Sequence, residues 1–178
     1  MTTRNRFFTP LGLYAYVLAA TMVILDQMAK WWMLNGLHLD VRGHIPVLPF
    51  FSLTMVMNQG VSYGLLWAQS SLQRYLLVAA AAAVVGMLAV WVRRTDRPLF
   101  ATAIGLVIGG AIRNNLIDRP RLGQVIDFLD FSGLGFPWVF NTADTWISIG
   151  VVLLLIDSFF GPKPASEKPP ETVTDKPA

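Results

Sequence analysis

Outside its last 18 residues the chain carries eight acidic side chains, all aspartate: Asp26, Asp40, Asp96, Asp118, Asp127, Asp130, Asp144 and Asp157. Two carboxylates held close together cannot both ionise, so such a pair shares one proton. The ionised partner can then take a proton from water while the protonated partner hydrogen-bonds a scissile carbonyl. That is general acid–base peptide hydrolysis without a covalent intermediate. Other chemistries are poorly supplied. There is no cysteine, His38 and His44 lie far from any serine motif, and neither HExxH nor GxSxG occurs. No metal and no cofactor are expected.

The elements that must position these acids follow from composition. The 178 residues suffice for one domain, and 54% are hydrophobic while only 14% are charged, with a mean hydropathy of +0.51. A soluble domain is about 25% charged, so neither a soluble globule nor a disordered chain fits. A bilayer span needs about 20 largely apolar residues. Four such stretches are predicted, at about 8–29, 73–92, 98–117 and 141–160. A fifth uncharged stretch, 45–73, is not a helix: Pro46 and Pro49 break its start, and Gly60 and Gly64 break its end. Between them Phe51, Leu53, Met55 and Met57 alternate with Ser52, Thr54, Val56 and Asn58, the period of a strand with one apolar face. A small sheet at the membrane surface is predicted at about 37–68.

Charge placement tests the count of spans. With four, one side holds Arg4, Arg6, Arg93, Arg94, Arg97, Lys163, Lys168 and Lys176, clustered beside span ends. The other holds Lys30, Arg42, Arg74, Arg113, Arg119 and Arg121, spread over longer segments. The positive-inside rule makes the first side cytoplasmic, with both termini there. The sequence pI near 9.5 thus reflects topology, and no nucleic-acid partner is expected. The N-terminus imitates a signal peptide, but its apolar run is long enough for an uncleaved span. Residues 161–178 hold both glutamates and read as a disordered polar tail.

Five aspartates then fall on the extracytoplasmic side: Asp26, Asp118, Asp127, Asp130 and Asp144. Charge near a bilayer is costly, so their gathering points to function. Each also has a plainer reading. Asp144 would cap the last helix, Asp118 would pair with Arg119 or Arg121, and Asp26 and Lys30 stand at i and i+4 as an ordinary ion pair. A small transporter or proton relay would use the same acids, but along a path through the membrane.

Four blocks resemble the lipoprotein signal peptidases, also called type II signal peptidases. LDQMAK (Leu25–Lys30) resembles their D-Q-x-x-K motif, and MNQGVSYGLL (Met57–Leu66) their N-x-G-x-[AS]-[FY] segment. GGAIRNNLIDRPRLGQVIDFLDF (Gly109–Phe131) resembles their G-G-A-x-G-N-x-x-D-R…G-x-V-x-D-F block, and VFNTADTWISIG (Val139–Gly150) their F-N-x-A-D block. The resemblance implies a mainly α membrane aspartic protease with four transmembrane helices and a small extracytoplasmic sheet, in the bacterial cytoplasmic (inner) membrane. Its substrates would be diacylglyceryl-modified prolipoproteins, cut just before the lipidated cysteine. Membrane lipids, and the lipopeptide antibiotics that inhibit the family, would be its other partners. Asp127 and Asp144 would be the catalytic dyad. Asp26, Lys30, Asn58, Gly60, Asn115, Asp118, Arg119, Asn141 and Ala143 match the supporting positions. Asn58 and Gly60 would meet the substrate backbone, and a segment near Asn58–Gly64 would close over the dyad. Trp31, Trp32, Trp67 and Trp138 fit an interfacial belt.

The chain departs from the pattern once. Arg113, Asn114 and Asn115 stand where the family has a single Gly-Asn, one residue longer. A bulge or register shift in the third helix is expected to absorb the extra residue. Either asparagine then suits the family role, and Arg113 points either to headgroups or to the acids.

Overall fold

The computed structural model describes residues 7–60 and 71–161. Helix α1 (Pro10–Trp31) begins on a Thr9 cap and continues as a π-helical turn, Trp32–Gly36. Helix α2 is short (Leu39–Arg42), and strands β1 (His44–Leu48) and β2 (Phe51–Asn58) follow. Helices α3 (Ser71–Val92) and α4 (Pro98–Ala111) come next, and α4 runs on through a π-helical segment, Ile112–Asp118, into α5 (Arg119–Leu122). Strands β3 (Val125–Asp130) and β4 (Val139–Phe140) precede α6 (Thr142–Phe160).

Among the described residues, four helical stretches are long and apolar enough to cross a membrane: Pro10–Gly36, Ser71–Val92, Pro98–Leu122 and Thr142–Phe160. They match the four predicted spans, with the first and third running further than expected because the π-helical segments prolong them. The strands form one antiparallel sheet in the order β1-β2-β3-β4. The sequence-based sheet boundary extended to residue 68. Residues 61–70 lie outside the described residues, as do Ser62, Tyr63 and Gly64 of the expected cover, Trp67, Arg4, Arg6 and nearly all of the tail.

Helix α4 is the hub. In its apolar window 67% of residues are buried, against 28%, 22% and 11% for α1, α6 and α3. Small residues make this possible. A methyl group on Gly105 or Gly109 would sit 2.8 Å from the backbone oxygen of Ala15 or Ala19 on α1, and one on Gly150 of α6 would sit 2.7 Å from that of Ala103. With lipid on all sides, such close backbone approach supplies the packing attraction that a hydrophobic drive does not. The result fixes α1, α4 and α6 relative to one another.

The sheet rests on a second apolar cluster, Leu39, Leu53, Ile126 and Phe128, against Ala29, Met33 and Leu34 at the end of α1. Here one sequence expectation is corrected. The alternation Phe51–Met57 does not run unbroken, because the β2–β3 register shifts between Leu53 and Val56. An extra residue in one strand moves the side chains beyond it to the other face. Met57 accordingly stands 45% exposed, and the next side chain, Asn58, reaches the acids. Gly123, with φ of +75°, makes the turn from α5 into β3, a conformation that favours glycine.

Candidate active site

Asp127 sits mid-strand on β3 between Ile126 and Phe128, and Asp144 lies in the first turn of α6. They are 17 positions apart in the chain, and one residue joins them. The side-chain amide of Asn141 donates to Asp127 Oδ1 at 2.6 Å, while its backbone N–H donates to Asp144 Oδ2 at 3.2 Å. Asn141 is fully buried and is also the N-cap of α6, accepting from the Asp144 N–H at 3.0 Å. The plainer reading of Asp144 as a helix cap is therefore also realised: the same reciprocal capping box that starts α6 fixes the carboxylate.

The other two carboxylate oxygens meet amides too. Asn58 Nδ2 donates to Asp127 Oδ2 at 2.9 Å, and Asn114 Nδ2 donates to Asp144 Oδ1 at 2.9 Å. The Asn114 amide can face only one way, because its oxygen accepts from the Lys30 ammonium at 3.0 Å and an ammonium has no acceptor. Burial first, then the charge of Asp144, pushes the Asp127 carboxyl up to about 7. Hydrogen bonds from Asn58 and Asn141 and the charge of Lys30 oppose that rise. A carboxyl held near 7 keeps a proton in about half of the molecules at neutral pH, the exchangeable proton that a shared-proton pair uses.

Behind the pair lies a buried charge cluster. Lys30 bridges Asp26 and Asp118, each at 2.7 Å. Arg113 pairs with Asp118, approaches Asp26 at 3.4 Å and donates to Gln27 at 2.6 Å. Asp26 also accepts from the Thr142 hydroxyl and, at 2.8 Å, from the Ala143 N–H. It thus ties α1 to the N-terminus of α6, where a carboxylate is favoured by the helix dipole. Ala143 enters the site through that backbone N–H.

Arg119 turns away from Asp118 and instead holds the end of β2, donating to the carbonyls of Gln59 at 3.0 Å and Gly60 at 2.5 Å. The Gly60 N–H in turn donates to Asn58 Oδ1 at 2.9 Å. Asn58, Gly60 and Arg119 form one brace beneath Asp127. The expected pairing of Asp118 with Arg119 or Arg121 gives way to Lys30 and Arg113, whose side chains approach from inside the bundle.

Two sequence assignments change. Asn115 accepts from Arg119 Nε at 3.3 Å, while it is Asn114 that is buried against Asp144. Asp130 does not join the acids either. Thr54 at 2.6 Å and the Ser132 N–H at 2.9 Å hold its carboxyl below the usual carboxylate range. Gln27 and Thr142 fall within the quoted D-Q-x-x-K and F-N-x-A-D blocks without an assigned role, and the structure gives them one as partners of Arg113 and Asp26.

Comparison with known proteins gives the family and the fold. The family described as signal peptidase (SPase) II matches residues 18–160. A lipoprotein signal peptidase from Caulobacter vibrioides is 53% identical over 148 residues, covering 83% of this chain and 88% of the relative. One from Rhodopseudomonas palustris is 40% identical over 164 residues, covering 89% and 97%. Two solved bacterial membrane enzymes, obtained by the in meso method, share the fold. One has a TM-score of 0.72 at 25% identity, covering 88% of this chain and 93% of its own, and the other has 0.71 at 26%, covering 89% and 100%. With four apolar helices, a four-stranded sheet and this breadth of sequence match, the chain belongs to the signal peptidase II family.

Proposed function

We propose that the chain is a membrane-embedded aspartic endopeptidase. It removes the signal peptide of diacylglyceryl-modified prolipoproteins just before the lipidated cysteine, with Asp127 and Asp144 as its catalytic pair. The observation that carries the reading is Asn141, which donates to both carboxylates from one buried residue. Asp127 holds the shared proton and hydrogen-bonds the scissile carbonyl oxygen. Asp144, ionised, takes a proton from water as the water oxygen bonds to the carbonyl carbon. As the tetrahedral intermediate collapses, the C–N bond breaks and the departing amine receives a proton from the pair.

The remaining residues support this step. Lys30 and Asn114 orient Asp144, and Asn58, Gly60 and Arg119 brace Asp127 and offer backbone groups beside the substrate chain. The site faces the extracytoplasmic side with both termini cytoplasmic, the orientation the charge distribution favours. A lipid-anchored substrate reaches this depth laterally, and exposed Trp31, Trp32 and Trp138 suit the lipid–water boundary. Lipopeptide inhibitors of the family would occupy the same place. A proton-relay transporter is not favoured: the only described acid buried at the far end, Asp157, is tied to Arg97 at 2.6 Å.

Cleavage of a diacylglyceryl prolipoprotein peptide in detergent tests the reading. Asp127→Asn and Asp144→Asn should each lower turnover by at least about a thousandfold while the protein stays folded. Turnover in either variant near the wild-type rate would remove the pair from the chemistry. A substrate lacking the diacylglyceryl group should be cut slowly or not at all, and equal rates would overturn the lipoprotein specificity.

A further inference from the structure

Arg113 occupies the stretch where the chain is one residue longer than the family pattern. The extra residue is absorbed by the π-helical segment: the Arg119 N–H bonds to the Asn114 carbonyl, five residues back instead of four. Arg113, Asn114 and Asp118 are consequently all turned inward, each no more than 3% exposed. Asp26 and Lys30, at 0% and 1%, complete a closed cluster with two carboxylates, one ammonium and one guanidinium.

The donor count shows what Arg113 adds. Lys30 donates to Asp118 and Asn114 and forms an ion pair with Asp26 at 2.7 Å. Lysine therefore balances only one of the two carboxylates, and the second negative charge needs its own cation, since an unpaired buried charge is strongly unfavourable. Arg113 supplies it, gripping Asp118, Gln27 and, more distantly, Asp26. This balance lies directly behind the catalytic pair, because Lys30 contacts Asn114 and Asn114 contacts Asp144.

We propose that Arg113 is a positioning residue that keeps the cluster behind the catalytic pair electrically neutral, acting through Asp118 and Asp26 on the Lys30–Asn114–Asp144 chain. The inference rests on the assignment of Asp127 and Asp144 as that pair. The charged groups bearing on it are Asp26 and Lys30 from α1, Asp118 and Arg119 from the continuation of α4, Asp127 from β3 and Asp144 from α6. Removing the guanidinium leaves one excess negative charge, which favours the protonated form of the pair. Removing the Asp118 charge leaves one excess positive charge, which does the reverse.

The test is the pH dependence of kcat on a diacylglyceryl prolipoprotein peptide. Arg113→Met should move the alkaline limb upward by about half a pH unit or more, and Arg113→Lys should leave it in place. Asp118→Asn should move it downward, and the double variant should return it to the wild-type position. A purely structural arginine would lower kcat without these opposed shifts. An unmoved limb in Arg113→Met, or an equal shift in Arg113→Lys, overturns the proposal. Should Arg113→Met fail to fold, an unmoved limb in Asp118→Asn does the same. None of these outcomes bears on the pair itself, whose assignment falls only if Asp127→Asn or Asp144→Asn cleaves.

Discussion

The two ends of the α4–α6 contact solve one problem in opposite ways. At one end Asp157, in the last turn of α6, meets Arg97 at the start of α4. The guanidinium reaches its carboxylate at 2.6 Å and its backbone carbonyl at 2.9 Å. A carboxylate at a helix C-terminus opposes the helix dipole, and this single cation offsets the conflict and closes the helix. At the other end the acids are divided. Asp26 and Asp118 take the cations Lys30 and Arg113, whereas Asp127 and Asp144 take the amides of Asn58, Asn114 and Asn141. All five acids are at most 4% exposed. Burial therefore does not separate the fastening acids from the proposed catalytic pair. The charge of the donor does: cations hold the first group by ion pairing, while neutral amides hold the second by hydrogen bonds alone.

The contrast breaks first at Asn141. Asn141→Ala removes both the bridge and the N-cap of α6, and should lower kcat about a hundredfold or more, since small misplacements have that effect. It should also destabilise the protein by about 1–3 kcal/mol, read as a lower Tm in detergent. A smaller loss, about tenfold, is expected from Asp118→Asn, which leaves the amide shell intact.

The pH response sharpens the same division. Asp127 is held up at about 7, above its ordinary value, so it favours folding at low pH and that contribution is lost as pH rises through about 7. Activity should fall over the same range. Asp127→Asn, neutral at every pH, should raise Tm at pH 9 and change it little only below the ordinary carboxylate value, at about pH 3. The smallest effect belongs to the far end. Asp157→Asn should cost about 1 kcal/mol, because Arg97 is partly solvated, and kcat should not change. A marked loss of turnover there would mean that the two ends are not independent.

Much of this division was legible in the residues. The four spans followed from largely apolar runs, and β1 and β2 from two prolines and an alternation that no helix would show, but β3 and β4, which complete the sheet and carry Asp127, were not expected. The ordered motif blocks named Asp127, Asp144 and Asn141. What stayed hidden depends on backbone phase. The motif left Asn114 and Asn115 open, and only the five-residue step of the π-helical segment turns Asn114 inward. An unbroken strand puts Met57 on the apolar face, and only the bulge delivers Asn58 to Asp127. Asp130 looked like another member of the acidic group because spacing carries no information about a hydroxyl, Thr54, on the neighbouring strand.

The loose seating of α3 has a mechanical meaning. Its 22 residues span about 33 Å at 1.5 Å per residue, and its buried positions, Leu88 and Val92, lie near one end. The proposed pair is mounted on α6 and the sheet, which the glycine contacts and buried ion pairs clamp to α1 and α4. A helix answers a change in bilayer thickness by tilting, and α3, the least buried of the four spans at 11%, has the fewest buried positions to disturb when it does. Hydrophobic mismatch is thus met most cheaply at the helix that carries neither carboxylate of the proposed pair.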